Sequence, residues 1–312
     1  MMIHMTNSSD PATQAGPTQD IAEAFFARSG AGPDPVTVLT YPAGADRLAR
    51  REALRPVYEA IVARIGPPTL LGGSVAGPSV RWCTRERIVL LSGDRNRVEL
   101  SVHDADKFVD DEWNAFERTR PGRKGEPHRF DALPYTWQLD RKGPGNAPGW
   151  TYNGVMVAGS WDHAVTGLEL MLGSWVEQYP VQSPGDWIGF TLWTSRDWRR
   201  DMIVSYSPAD HGRELAVCIH DRGIEQTGER QAQMRERGWR TLDEHQWWRT
   251  ALPETDPDAP RLIAELTIAE CLARKATCPA ELRAHDISAG DNGELWLTGL
   301  GLPTHPSRGE HF

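Results

Sequence analysis

Apolar positions recur at helical spacing in two places along the chain. Between Leu48 and Ile65 they fall at Leu54, Val57, Ile61 and Ile65; between Asp162 and Gln178 they fall at Val165, Leu168, Leu172 and Val176. Steps of three and four residues place each set on one face, so both segments are read as amphipathic helices. Every member of the second set lies 111 residues after its counterpart. The offset continues into the next element, where Trp82-Cys83-Thr84-Arg85 is answered by Trp193-Thr194-Ser195-Arg196. Apolar runs follow in both copies, Ile88–Leu91 and Met202–Val204, each leading through a turn into a third strand. Those strands end alike, "VELSVHD" at 98–104 and "LAVCIHD" at 215–221, now 117 residues apart, so the later copy carries extra residues in its turns.

A second helix is expected after each third strand. The first, at 105–118, has Phe108, Val109, Trp113 and Phe116 as its apolar set; the second, at 228–238, closes on Gly238. Strands are then expected at 134–140 and 149–159 in one copy and, shorter, at 239–242 and 246–250 in the other. A last helix opens at Pro260 with Asp258 as candidate cap, runs to about Lys275, and carries Leu262, Leu266 and Ala269 as its stripe. The expected fold class is α+β: two tandem α-β-β-β-α-β-β(-α) units with antiparallel sheets packed by helices. The units are placed at 45–159 and 160–312. Residues 1–44 are expected to be mostly disordered around a short helix at 19–27, with a strand at 36–41, and 293–303 to add an edge strand.

Composition narrows the function. A net charge of −9 opposes general affinity for nucleic acid. No apolar run approaches the roughly 20 residues that span a bilayer, and the first residues lack the pattern of a secretory signal, so a cytoplasmic location away from membranes is expected. Cys83, Cys218, Cys271 and Cys278 lack the spacing of zinc or redox sites. No cofactor or metal is expected. Four lysines against 30 arginines reflect a GC-rich bacterial genome.

The segment "MRERGWRTLDEHQWWRTAL", followed by "APRLIAELTIAECL", resembles the C-terminal part of actinobacterial TY-Chap domains (type III secretion chaperone-like, YbjN-like). The matching residues are Gly238-Trp239, Trp247-Trp248 and Ala264-Glu265-Leu266. The likeness covers roughly 160–282 and, through the repeat, 48–160 more weakly. It implies a small α+β binding or chaperone module of bacterial secretion or conflict systems, without enzymatic activity.

The residues themselves leave two functions to weigh. His103-Asp104 and His220-Asp221 suggest metal or hydrolase chemistry, but adjacent strand residues point to opposite faces and cannot chelate one ion together. Asp104 (or Asp106) and Asp221 are expected instead to accept backbone N–H groups where the chain leaves the sheet. "GGSVA" at 72–76 lacks the last glycine of a nucleophile elbow, and "GPGNAPG" at 143–149 has no following helix to present to a phosphate. The basic stretch 118–129 has no aromatic platforms beside it and reads as a solvated loop. The stronger signal is "WTSRDWRRD" at 193–201, where Arg196, Trp198, Arg199 and Arg200 gather at an expected hairpin tip with the composition of a binding hot spot. Trp247-Trp248 adds one core tryptophan and one that is exposed or covered by the partner domain. The expectation is a non-catalytic, chaperone-like module holding a protein client or a toxin or effector, with homodimer formation as an option. The alternative is a hydrolase using His103, His220 and nearby carboxylates.

Overall fold

The structure is a computed structural model that describes residues 11–27, 34–119, 129–141, 156–194, 197–221, 223–289 and 293–302. Among these the chain runs α1 (Pro11–Ala27), β1 (Val36–Thr40), α2 (Arg47–Ile65), β2 (Leu71–Gly73), β3 (Ser79–Cys83), β4 (Arg87–Gly93), β5 (Arg97–Asp104), α3 (Ala105–Thr119) and β6 (Trp137–Asp140). It continues through α4 (Trp161–Gln182), β7 (Ile188–Thr194), β8 (Asp197–Ala209), β9 (Gly212–His220), α5 (Gly228–Glu236), β10 (Thr241–Leu242), β11 (Trp247–Pro253), α6 (Ala259–Ala273), β12 (Leu282–Ala289) and β13 (Glu294–Trp296). The fold is α+β, with antiparallel sheets packed by helices. No helix among the described residues is long and apolar enough to cross a membrane.

Local chemistry sets the two principal helices. Asp46 opens α2 by accepting the Ala49 N–H at 2.8 Å, and Gly66, at φ +86°, closes it with its own N–H on the Val62 carbonyl. Ser160 opens α4 by accepting the His163 N–H at 3.2 Å. After each helix comes an antiparallel meander, β3-β4-β5 in one half and β7-β8-β9 in the other.

The closing strands differ between the halves. In the second, β11 lies beside β9, and the sheet has the order β10-β11-β9-β8-β7-β12. In the first, β1 takes the place beside β5, giving β1-β5-β4-β3. The 134–140 strand becomes β6, the centre of a third sheet, β13-β6-β2. The tail strand β13 thus crosses back to pair with residues of the first half. Of the strand expected at 149–159, residues 149–155 lie outside the described set and 156–158 are not strand. Helix α1 begins at Pro11 rather than near residue 19, and buries Ala22 and Phe25 in the core of the four-stranded sheet.

The halves also bury their sheets differently. The four-stranded sheet is covered on both faces. Val80, Trp82, Val89, Leu91 and Leu100 meet α1 and α2, while Ile88 and Leu90 meet Ala105, Phe108 and Val109 of α3. Arg81 lies on the α3 side, fully buried, with its guanidinium 2.5 Å from Glu112 and over the rings of Phe108 and Tyr135. On the six-stranded sheet, α4, α5 and α6 all contribute to one core, through residues such as Leu168, Met234 and Ile263.

Helix α4 joins the halves. Its side chains are buried without a break from Met171 to Gln182. Pro180 has no N–H, which leaves the Val176 carbonyl without its helical partner; Arg51 of α2 donates to it at 3.4 Å. Arg50 pairs with Glu177, and the Gln182 amide bonds both the N–H and the C=O of Gly72 at 2.8 and 2.7 Å, as a neighbouring strand would. Next to it, a Cβ on Gly73 would stand 2.6 Å from Ser174 Oγ and 2.8 Å from Trp137 Nε1. Replacing Gly73 by Ala is therefore expected to cost about 1–3 kcal/mol, read as a lower urea midpoint with unchanged slope.

Candidate functional site

Alternation along the strands divides the six-stranded sheet into two unlike faces. One face carries Ile188, Phe190, Leu192, Met202, Val204, Tyr206, Leu215, Val217, Ile219, Trp248 and Leu252, all buried beneath α4, α5 and α6. The other carries Thr191 and Trp193 on β7, Ile203 and Ser205 on β8, Cys218 and His220 on β9, and Trp247 and Arg249 on β11, all half-buried. Among the described residues no helix packs on this second face. Its counterpart in the first half lies under α3. Here α5 stands on the other side of the sheet, because Met234 and Trp239 are drawn into the main core. Among the described residues, a mixed apolar face is left without a covering helix.

Several contacts organise it. The His220 ring stacks on Trp247 with centroids 4.7 Å apart, and its Nε2 lies 3.2 Å from the His245 carbonyl. Arg249 pairs with Glu214 across β11 and β9. Burial, opposed by Arg249, pushes the Cys218 thiol up, which disfavours the nucleophilic thiolate.

The expected binding residues fare unequally. Trp247 stands on the open face. Trp248 is fully buried, its Nε1 donating to Gln226 Oε1 at 3.2 Å, and has no surface to offer a partner. Trp198, Arg199 and Arg200 belong by backbone to β8, and their side chains lie outside the described residues, as does Arg196. Thr194 pairs with Asp197, so these three sit in the strand and not at the hairpin tip. Trp193, Ile203 and Cys218 were not singled out for binding. Their strand alternation was visible, but which face would remain uncovered depends on where α5 docks.

The two histidines belong to different sheets. His103 is held by Ser101 Oγ at 2.8 Å and packs on Phe108, centroids 4.7 Å apart. Among the described residues neither His103 nor His220 pairs with a carboxylate, and no group of three His, Cys, Asp or Glu could hold a metal ion. Asp104 accepts the Lys107 N–H at 3.0 Å, as expected at a helix start. Asp221 differs: fully buried, it binds the Arg230 Nε and Nη2 at 3.1 and 3.0 Å and the Gln226 amide at 2.9 Å. Ser74 of "GGSVA" accepts the Ala76 and Gly77 N–H groups, both at 3.2 Å, and so closes the turn after β2. It is a turn residue, not a nucleophile.

The stripe expected on α6 is also displaced. Leu262 is 37% and Leu272 45% exposed, while Ile263, Ala264, Thr267, Ile268 and Cys271 form the buried face. Thr267 satisfies its hydroxyl on the Ile263 carbonyl at 2.7 Å, so a polar residue can face the core. Asp258 makes no side-chain cap bond and instead pairs with Arg261 at 3.2 Å.

Comparison with known proteins returns no family model, no curated protein and no solved structure that matches the chain.

Two outcomes follow for these residues. Trp248→Ala is expected to destabilise by about 3–5 kcal/mol and Trp247→Ala by about 1 kcal/mol or less, compared by urea unfolding. Burial, and then the charge of Arg81, holds the His103 imidazole below its ordinary 6.5. The folded protein thus binds fewer protons there than the unfolded chain, so this contribution is complete above 6.5 and is lost as pH falls through the depressed value. His103→Gln should flatten the acid limb of a stability–pH profile below about pH 6.5; an unchanged limb contradicts this.

Proposed function

We propose that the protein is a non-catalytic, chaperone-like module that binds a protein client through the open face of its six-stranded sheet. The reading agrees with the TY-Chap resemblance and with a role beside bacterial secretion or toxin systems. One observation carries it: tryptophan, isoleucine and cysteine side chains share a sheet face that no described helix covers, while the equivalent face of the first half is packed. An apolar sheet face with a polar rim buries client surface, and aromatic side chains supply most of the energy at such interfaces.

The hydrolase alternative requires His103 and His220 in one cleft with carboxylates. Their separate sheets and separate partners give it no support.

The test is suppression of aggregation of a thermally unfolding client by the full chain at equimolar ratio. Suppression is expected, and Ile203→Ser/Trp247→Ser should abolish most of it without loss of folded structure by circular dichroism. Equal suppression by that folded double variant, or none by the wild type, contradicts the proposal.

A further inference from the structure

A second surface, separate from the open sheet face, has the character of a small-molecule site. Where the C-terminal ends of α2 and α4 meet β2 and β6, they enclose a cleft of about 880 Å³. That lies toward the upper end of the roughly 300–1,000 Å³ usual for ligand pockets. Val62, Leu71, Leu139 and Val181 supply apolar wall, and Tyr58 and Arg141 are the polar side chains that decide its chemistry.

The other polar groups around the cleft are already engaged. Arg141 bonds Ser183 and Asp186, so its charge is neutralised locally. The Gln182 amide is spent on Gly72, and the Thr69 hydroxyl accepts the Cys83 N–H at 2.9 Å. Tyr58 is different. It lines the cleft, is only 6% exposed, and its hydroxyl makes no hydrogen bond among the described residues. The hydroxyl is not sealed from solvent, so a ligand oxygen in the cleft can take the place of water on it. Burial also pushes the phenol well above its ordinary 10, so it remains a protonated donor. Glu59 is exposed and lines the same cleft as the paired Arg141 and Asp186.

We propose that this cleft binds a small, uncharged, mainly apolar molecule bearing one carbonyl or hydroxyl oxygen that meets the Tyr58 hydroxyl. The apolar walls hold the body of the molecule. Among the described residues the cleft offers an anionic head no uncommitted cation.

The test uses Nile red, which is uncharged, apolar and carries one ring carbonyl, titrated against the full-length protein. Saturable blue-shifted fluorescence is expected. Ala63→Trp, a bulky side chain at the cleft wall, should weaken binding at least about tenfold, and Tyr58→Phe about three- to tenfold. Trp247→Ser, on the open sheet face, should leave it unchanged, which separates this site from the client surface. Displacement needs no variant: 1-octanol should compete at least about tenfold better than octanoate, which is ionised at about pH 7. Absence of saturable binding, wild-type affinity in Ala63→Trp or Tyr58→Phe, loss in Trp247→Ser, or equal competition by octanoate would overturn the proposal.

Discussion

The whole arrangement depends on keeping α4 dry. A helix buried on every side through its last three turns has no solvent-facing stripe, so it needs a partner in each direction. The six-stranded sheet and α6 cover one side through Leu168, Leu172 and Trp175. Helix α2, β2 and β6 cover the other. The main core therefore gathers Leu71, Phe116, Trp137 and Leu139 from the first half with residues as late as Leu302. Cutting the chain near residue 160 would expose the central helix of the molecule.

Burial of a helix that is not wholly apolar favours matching its polar groups, and most are matched here, although the Trp175 indole N–H and the Gln178 amide have no partner among the described residues. Ser174 accepts the Trp137 indole N–H at 2.9 Å, and Gln182 is bonded to Gly72 on both sides of its amide. Glu177 sits where burial pushes its carboxyl up, and the Arg50 guanidinium opposes that shift. Arg51 serves the carbonyl freed by Pro180 and also pairs with Glu254, which the Tyr206 hydroxyl bonds as well. Such buried pairs add little net stability, but an alternative packing that leaves one partner alone is strongly disfavoured. Here they determine the orientation of α2 on α4 more than its strength of attachment.

Helices and meanders were legible because they are local: Leu54, Val57 and Ile61 on one face, Trp82 and Val89 on another, are readable from spacing alone. The closing strands were not. Both β1 and β6 carry apolar strand residues, and which one pairs with β5 is settled by long-range packing around Trp137 and Tyr179, 5.9 Å apart by ring centroids. The α6 stripe failed for a related reason. Leucines at 262 and 266 and the alanine at 269 match a helical period, but so do Ile263, Ala264 and Thr267, and only the docked position of α6 distinguishes them. Of the candidate site, Trp247 was legible as one member of a pair, whereas the openness of the face around it followed from α5 being drawn to the opposite side.

A sheet that spends one face on the core and leaves the other half-exposed can lend that face to a partner at small conformational cost, because its side chains are already ordered by the strands. The face around Ile203 should therefore be the place where another protein touches this one. Site-specific photo-crosslinking tests this most directly, with benzoylphenylalanine at position 203 and, for comparison, at position 272 on the exposed side of α6, in cells that make the protein. A discrete protein adduct from position 203 and none from position 272 is the predicted result. An adduct from position 272 alone, or none from position 203, would contradict the account.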